Sequence, residues 1–172
     1  METDQTNRTR GITSIQNRYL TFELEQEDYG VEILAVKEII GYHRSTPVPM
    51  TPEYINGVIN LRGQIIPVVD LRKKLGMPEA EPQSYTAIII ANIHGTNVGF
   101  VVDKVNEVAS VPEENLSEPP AFGTTVNTAF LTRMARLGER VIMLLDLEKV
   151  FDMEEAEGLR KLGESHQETM EA

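Results

Sequence analysis

From residue 19 the chain alternates in a period of two. Leu20, Phe22 and Leu24 fall on one side and Thr21 and Glu23 on the other, the pattern of a strand with one buried face. Gln26-Glu27-Asp28-Tyr29-Gly30 then turns the chain, which predicts a hairpin. A second hairpin is predicted where the β-branched run Tyr85-Thr86-Ala87-Ile88-Ile89-Ile90-Ala91 turns through Ile93-His94-Gly95-Thr96-Asn97 before Gly99. Between them, Gly57-Val58-Ile59 and Ile65-Ile66 flank Leu61-Arg62-Gly63-Gln64, where Gly63 is expected to supply the positive φ of a tight turn. Pro67 has no N–H for a ladder, which predicts a sheet edge or a bulge. Asp70 is placed to cap a short helix that carries Leu71 and Leu75 and closes at Gly76, ahead of Pro78. Asp146, Leu147, Val150 and Phe151 repeat that arrangement.

The pattern is a duplication. Gly30-Val31-Glu32-Ile33-Leu34-Ala35-Val36-Lys37-Glu38-Ile39 has a counterpart in Gly99-Phe100-Val101-Val102-Asp103-Lys104-Val105-Asn106-Glu107-Val108, 69 residues on. The strand ending in Asp70-Leu71 returns 76 residues later, ending in Asp146-Leu147. Short strands with turns at close intervals, separated by Pro-rich loops such as Thr46-Pro47-Val48-Pro49-Met50-Thr51-Pro52, indicate two related small barrels rather than a parallel sheet.

Composition narrows the class. At 172 residues with 41% hydrophobic content the chain can bury a substantial core. No apolar run reaches the ~20 residues that cross a bilayer, and Met1-Glu2-Thr3-Asp4-Gln5-Thr6-Asn7-Arg8 has no apolar signal region, so a cytosolic protein without membrane insertion is expected. The absence of cysteine excludes disulfides, thiol nucleophiles and thiolate metal sites. A net charge of −11 argues against nucleic acid or an anionic membrane surface as a partner. Much of that charge lies in residues 152–172, with seven acids and two bases, which reads as an acidic solvated tail fraying from a short helix. Residues 1–18 read as a disordered arm.

Val36-Lys37-Glu38-Ile39-Ile40, Pro47-Val48-Pro49, Gly57-Val58-Ile59-Asn60-Leu61-Arg62-Gly63, Pro67-Val68-Val69-Asp70-Leu71-Arg72, Val98-Gly99-Phe100-Val101-Val102-Asp103-Lys104-Val105 and Leu144-Leu145-Asp146 together resemble the CheW family of bacterial chemotaxis coupling proteins, over about residues 19–151. The resemblance implies a mainly β fold of two intertwined SH3-like five-stranded barrels packed side by side with short helices, their repeats at about 19–76 and 85–151. It implies a non-enzymatic cytoplasmic adaptor, without cofactors, held at the inner face of the membrane through chemoreceptor arrays. The implied partners are the regulatory domain of the histidine kinase CheA, the cytoplasmic tips of methyl-accepting chemoreceptors, lying in the groove between the barrels, and further CheW copies in rings. One departure is Leu131-Thr132-Arg133-Met134-Ala135, where the family usually carries glycine in place of Arg133; a need for positive φ or close backbone approach there would strain the second barrel.

For site residues, the resemblance places Glu38 and Arg62 close together on a first-barrel surface used by receptor and kinase, and Val36 and Val105 on the partner-facing groove. The competing reading of Glu38 and Arg62 is a salt bridge that merely orders a turn. Gly57 is counted with them as a contact residue of the receptor and kinase interface, a glycine that allows a close backbone approach, by a partner or by its own barrel. Ile39 and Val108 read as packing residues. Asp70, Asp103 and Asp146 could form a carboxylate set for acid–base or metal chemistry, the basis of a remote alternative as a small hydrolase, but two of them are explained as helix caps. His43, His94 and His166 have no metal-binding spacing, and no glycine loop suited to phosphate is present. A nearer alternative is a coupling protein of a non-flagellar chemosensory pathway.

Overall fold

The structure, a computed structural model, describes residues 17–119 and 129–171, with side chains as far as Gln167. The arm expected over residues 1–18 lies outside the described residues except for Asn17 and Arg18, where the first strand begins. In chain order the elements are β1 (Arg18–Leu24), β2 (Glu27–Glu32), β3 (Val36–Gly41), β4 (Ile55–Leu61), β5 (Gln64–Asp70), α1 (Leu71–Lys74), β6 (Ala87–Ile93), β7 (Thr96–Val102), β8 (Lys104–Ser110), β9 (Leu116–Ser117), β10 (Leu131–Leu137), β11 (Arg140–Leu145) and α2 (Met153–Glu171). Short 3₁₀ turns at Ile33–Ala35, Glu113–Asn115 and Leu147–Val150 punctuate them.

The strands form two sheets, β3-β6-β7-β5-β4 and β8-β1-β2-β11-β10-β9. Each copy of the repeat thus lends its opening hairpin to the other: β6-β7 sits inside the first barrel and β1-β2 inside the second. The exchange is symmetric in register. β5 runs parallel to β7 with Val68 opposite Gly99, and β11 runs parallel to β2 with Leu144 opposite Gly30. The repeated glycines are explained there, since a Cβ on Gly99 would come within 2.8 Å of the Ile88 side chain and one on Gly30 within 3.0 Å of Leu144. The second sheet has a sixth, two-residue strand beyond the five expected; Ser117 of β9 faces Met134, as Thr46 faces Val58 in an isolated bridge of the first barrel.

Exchange makes the core common property. One buried cluster gathers Leu20, Phe22 and Val31 from the first hairpin, Ile89, Phe100 and Val102 from the second, and Val69, Leu71, Leu145, Leu147, Val150 and Phe151 from the strand ends and caps. Smaller clusters fill each barrel, around Ile66, Val68 and Ile88 in the first and Tyr19, Ala135 and Ile142 in the second. Asp70 and Asp146 cap as expected, accepting from the backbone N–H of Lys73 and Glu148 at 3.3 and 3.0 Å. Of the edge or bulge expected for Pro67, the edge is not found, since β5 is an interior strand, but the β4–β5 pairing does shift register between Ile55 and Gly57, next to the Val58–Pro67 pair. The ladder of β5 with β7 begins only at Val68, so the missing N–H removes no bond on that side.

The acidic C-terminal segment is a correction. Residues 153–171 form one helix rather than a solvated tail, and Leu159 is 1% exposed within the shared core. Asp152 and Glu155 start it with a reciprocal capping box, Glu155 N donating to Asp152 Oδ1 at 2.7 Å and Asp152 N to Glu155 Oε1 at 3.1 Å. Glu155 also accepts from Lys74 Nζ at 2.8 Å and hydrogen-bonds the Tyr54 hydroxyl. Burial pushes the Glu155 carboxyl up, but hydrogen bonds from Lys74, the Asp152 N–H and Tyr54 outweigh it and hold the group below the usual range. Farther along, Gly163 lies against the Pro67 ring.

Candidate partner-binding surface

The first barrel has a seam, because β3 and β4 are the two edges of one five-stranded sheet. Two ties cross it. Thr46 and Val58 exchange backbone hydrogen bonds of 2.8 and 3.0 Å. Glu38 on β3 receives both terminal nitrogens of Arg62, Nη1 to Oε1 at 2.9 Å and Nη2 to Oε2 at 2.5 Å. Arg62 stands in the β4–β5 turn, where it and Gly63 both take positive φ, 52° and 86°, while Leu61 and Gln64 pair across the loop. That is the backbone of a type I′ hairpin, locked by the Gly63 N–H donating to Asn60 Oδ1 at 2.9 Å. Left-handed backbone is unfavourable for arginine, so its side chain rather than the turn explains its presence.

The expected Glu38–Arg62 contact therefore forms, and it is asymmetric in exposure. The Arg62 side chain is 69% exposed and that of Glu38 33%. Its hydrogen bond from Arg62 holds the Glu38 carboxyl below the ordinary range. A guanidinium gripped on one edge keeps its other donors pointing outward in a set plane. The second barrel has an echo. Glu107, the counterpart of Glu38, accepts from Arg140 at 3.2 Å, and Arg140 also reaches Asp28 at 3.2 Å.

Val36 and Val105 occupy matching places, each at a register shift of an edge strand, Val36 opposite Ala91 and Val105 opposite Phe22. Both are half-buried against the shared inter-barrel core. Ile39 and Val108, read from the sequence as packing residues, are instead 43% and 40% exposed, so aliphatic surface on β3 and β8 exceeds that expected. The alternation on β3 shows why: its residues are alternately half-buried and exposed rather than buried, as befits an edge.

Gly57 leaves the set of contact residues. It is buried at φ 142°, and a Cβ there would lie 2.0 Å from the Thr46 carbonyl oxygen. The close approach is made by its own barrel. At the matching position Arg133 has no positive φ, so it carries no strain of that kind, and its side chain extends to Glu113 at 3.2 Å.

The duplication also pairs two crevices along the barrel boundary. One, of about 230 Å³, includes Asn56, Asp70, Arg72, Val101 and Asp103; its counterpart, of about 700 Å³, includes Thr132, Asp146, Glu148, Glu32 and Leu34 at the corresponding positions. An ion pair lines the smaller one. Arg72 grips Asp103 through Nε at 2.7 Å and Nη2 at 2.5 Å, and Asp103 also accepts from the Glu25 N–H at 2.9 Å. In the larger one the corresponding residues, Glu148 and Leu34, cannot make that pair, and Leu34 is 76% exposed. Ala35 and Lys37 line this larger crevice, which puts Val36 beside it. Val105 is not in its lining.

Among the described residues the candidate carboxylates do not gather into a set. Asp70 and Asp146 are caps and Asp103 belongs to the Arg72 pair; burial raises the Asp70 carboxyl, with backbone and charge contacts from Lys73 opposing. His94 stands 3.6 Å from Glu148 and His166 contacts the Leu162 carbonyl of its own helix. Among the described residues no three His, Cys, Asp or Glu side chains gather as metal ligands, and no helix is long and apolar enough to cross a membrane.

Comparison with known proteins adds the relatives. A family model for the CheW-like domain matches residues 18–155. The chain is 39% identical over 153 residues to the chemotaxis protein CheW of Klebsiella aerogenes, covering 89% of this chain and 92% of that one. It is 32% identical over 140 residues to CheW of Bacillus subtilis, covering 81% and 90%. Among solved structures, it superposes on the scaffolding protein TtCheW of Thermoanaerobacter tengcongensis with a TM-score of 0.73 at 37% identity, covering 80% of this chain and 94% of that one.

Proposed function

This chain belongs to the CheW family, and from that premise we propose that it is a non-enzymatic adaptor coupling the cytoplasmic tips of methyl-accepting chemoreceptors to the regulatory domain of the kinase CheA. It works in the cytoplasm, at the inner face of the membrane, where it joins receptors and kinase into arrays. Its contact residues are Glu38 and Arg62 on the first barrel, with Val36 and Val105 against the barrel boundary.

The observation that carries this reading is the two-bonded Glu38–Arg62 pair, which holds a mostly exposed guanidinium in a fixed plane on a barrel edge. A turn needs no arginine in left-handed backbone, whereas a binding surface gains from a cation ordered before the partner arrives. Ile39, the next residue along β3, is exposed as well and adds apolar area to this edge strand, on the alternate face from Glu38. Signalling needs no chemistry at this protein. A receptor and a kinase bound to the same rigid body each bias the other's conformational equilibrium through differential contacts. The test is titration of CheA regulatory domain and of receptor-tip fragments against the wild-type protein and Arg62→Ala. Weakened association by a folded variant supports the assignment, and unchanged association with both partners overturns it.

A further inference from the structure

The β4–β5 hairpin that carries Arg62 has an unfinished edge. β5 pairs with β7 only from Val68 onward, which leaves the start of the strand, Gln64 to Pro67, without a neighbouring strand on that side. The C-terminal helix fills the gap with one side chain. The Ile65 N–H donates to Gln167 Oε1 at 2.7 Å, and Gln167 Nε2 donates to the Gly63 carbonyl at 2.9 Å. A carboxamide offers one acceptor and one donor side by side, as a peptide group does, so Gln167 takes the place of the missing strand. The bonds span 102 and 104 residues of sequence.

Their place matters. Gly63 is the residue after Arg62 and shares its positive φ, so a grip on the Gly63 carbonyl and the Ile65 N–H restrains the backbone from which the guanidinium projects. The helix is held in register for this by Leu159 in the core, by the Glu155 contacts to Lys74 and Tyr54, and by Gly163 against Pro67. A Cβ at 163 would already touch the Pro67 ring and the Ile65 carbonyl, at 3.6 and 3.8 Å, so a large side chain there would hold the helix off the strand.

We propose that Gln167 is a positioning residue for the partner contact: its carboxamide completes the β5 edge and thereby orders the turn that presents Arg62. This rests on the reading of Arg62 as a contact residue. It gives the C-terminal helix a role in signalling geometry, through a residue that touches neither partner.

The experiment compares wild type, Gln167→Ala and Gln167→Glu in the full chain. Amide exchange at Ile65 and ¹⁵N relaxation of Gly63 and of the Arg62 Nε–H are read without any partner, and CheA titration is read alongside Arg62→Ala and the double variant. With Gln167→Ala the Ile65 amide exchanges about fivefold to tenfold faster, the Arg62 Nε–H loses order, and melting is nearly unchanged. Gln167→Glu, which can still accept from Ile65 but cannot donate to Gly63, protects the Ile65 amide yet leaves the Arg62 side chain mobile. CheA affinity falls severalfold in Gln167→Ala, and the double variant is no weaker than Arg62→Ala alone. An Arg62 side chain as ordered in Gln167→Ala as in wild type overturns the positioning role, and so do additive losses. Loss of Arg62 order together with normal binding by Arg62→Ala would instead overturn the contact assignment of Arg62 and leave the strut in place.

Discussion

Replacing Gly57 by alanine separates a structural glycine from a contact glycine. A Cβ at this position would lie 2.0 Å from the Thr46 oxygen, 2.5 Å from its carbonyl carbon and 3.0 Å from Pro47 Cα, all backbone atoms that no rotamer change can move. Relief requires the Thr46 segment to lift away, which breaks the two bridge hydrogen bonds to Val58 at about 1 kcal/mol each. Alanine held at φ 142° adds about 1–3 kcal/mol of backbone strain. The sum is about 3–5 kcal/mol, and for a chain of this length that lowers Tm by about 6–20 °C. Urea unfolding and calorimetry of Gly57→Ala measure it directly. A variant that melts like wild type refutes this reasoning, and a variant of normal stability that fails to bind CheA would return Gly57 to the contact surface.

The same geometry sets three other outcomes. Leu159→Ala, which empties a side chain 1% exposed in the shared core, should destabilise by about 2–4 kcal/mol in urea unfolding, whereas a solvated tail would give no change. Val36→Asp should stay folded by circular dichroism but lose receptor or kinase association, because a carboxylate on a half-exposed edge is hydrated when free and stranded when covered; an unfolded product would mark Val36 as core. The Glu38 carboxyl titrates below its unfolded value, so its contribution to holding Arg62 is fully present above the ordinary carboxylate range and lost as pH falls through the depressed one. NMR titration of Glu38 should accordingly show a midpoint below that of an exposed glutamate, shifting back to the ordinary range in Arg62→Ala.

Much of this architecture is legible in the residues. The alternation at Leu20, Phe22 and Leu24, the glycine of the Arg62–Gly63 turn and the capping aspartates Asp70 and Asp146 are local features, decided within a few residues of themselves, and the chain folds as they dictate. Which copy each hairpin joins depends on the parallel pairings of Val68 with Gly99 and Leu144 with Gly30, contacts between segments far apart in sequence that no local pattern specifies. The C-terminal helix is a different case. Its signals are present, a capping box at Asp152 and Glu155 and the spacing of Ala156, Leu159, Leu162 and Gly163, but the density of glutamates around them matches that of a solvated segment. Gln167 carries no signal of its own, because an exposed-looking glutamine in an acidic stretch acquires meaning only from the strand edge it meets. Ile39 and Val108 mislead for the opposite reason: aliphatic residues at strand spacing read as core unless the strand is known to lie at an edge.

The role proposed for this protein is binding to both receptor and kinase, with no catalytic contribution to the signal. Co-sedimentation of membranes carrying methyl-accepting receptors with CheA, in the presence and absence of this protein, examines that role when kinase autophosphorylation is read in the same samples. CheA should enter the pellet and be activated only when the protein is added, in proportion to the amount added, and Arg62→Ala, although folded, should do so poorly. CheA recruited and activated to the same extent without the protein, or no association of the protein with either partner, would contradict the adaptor role.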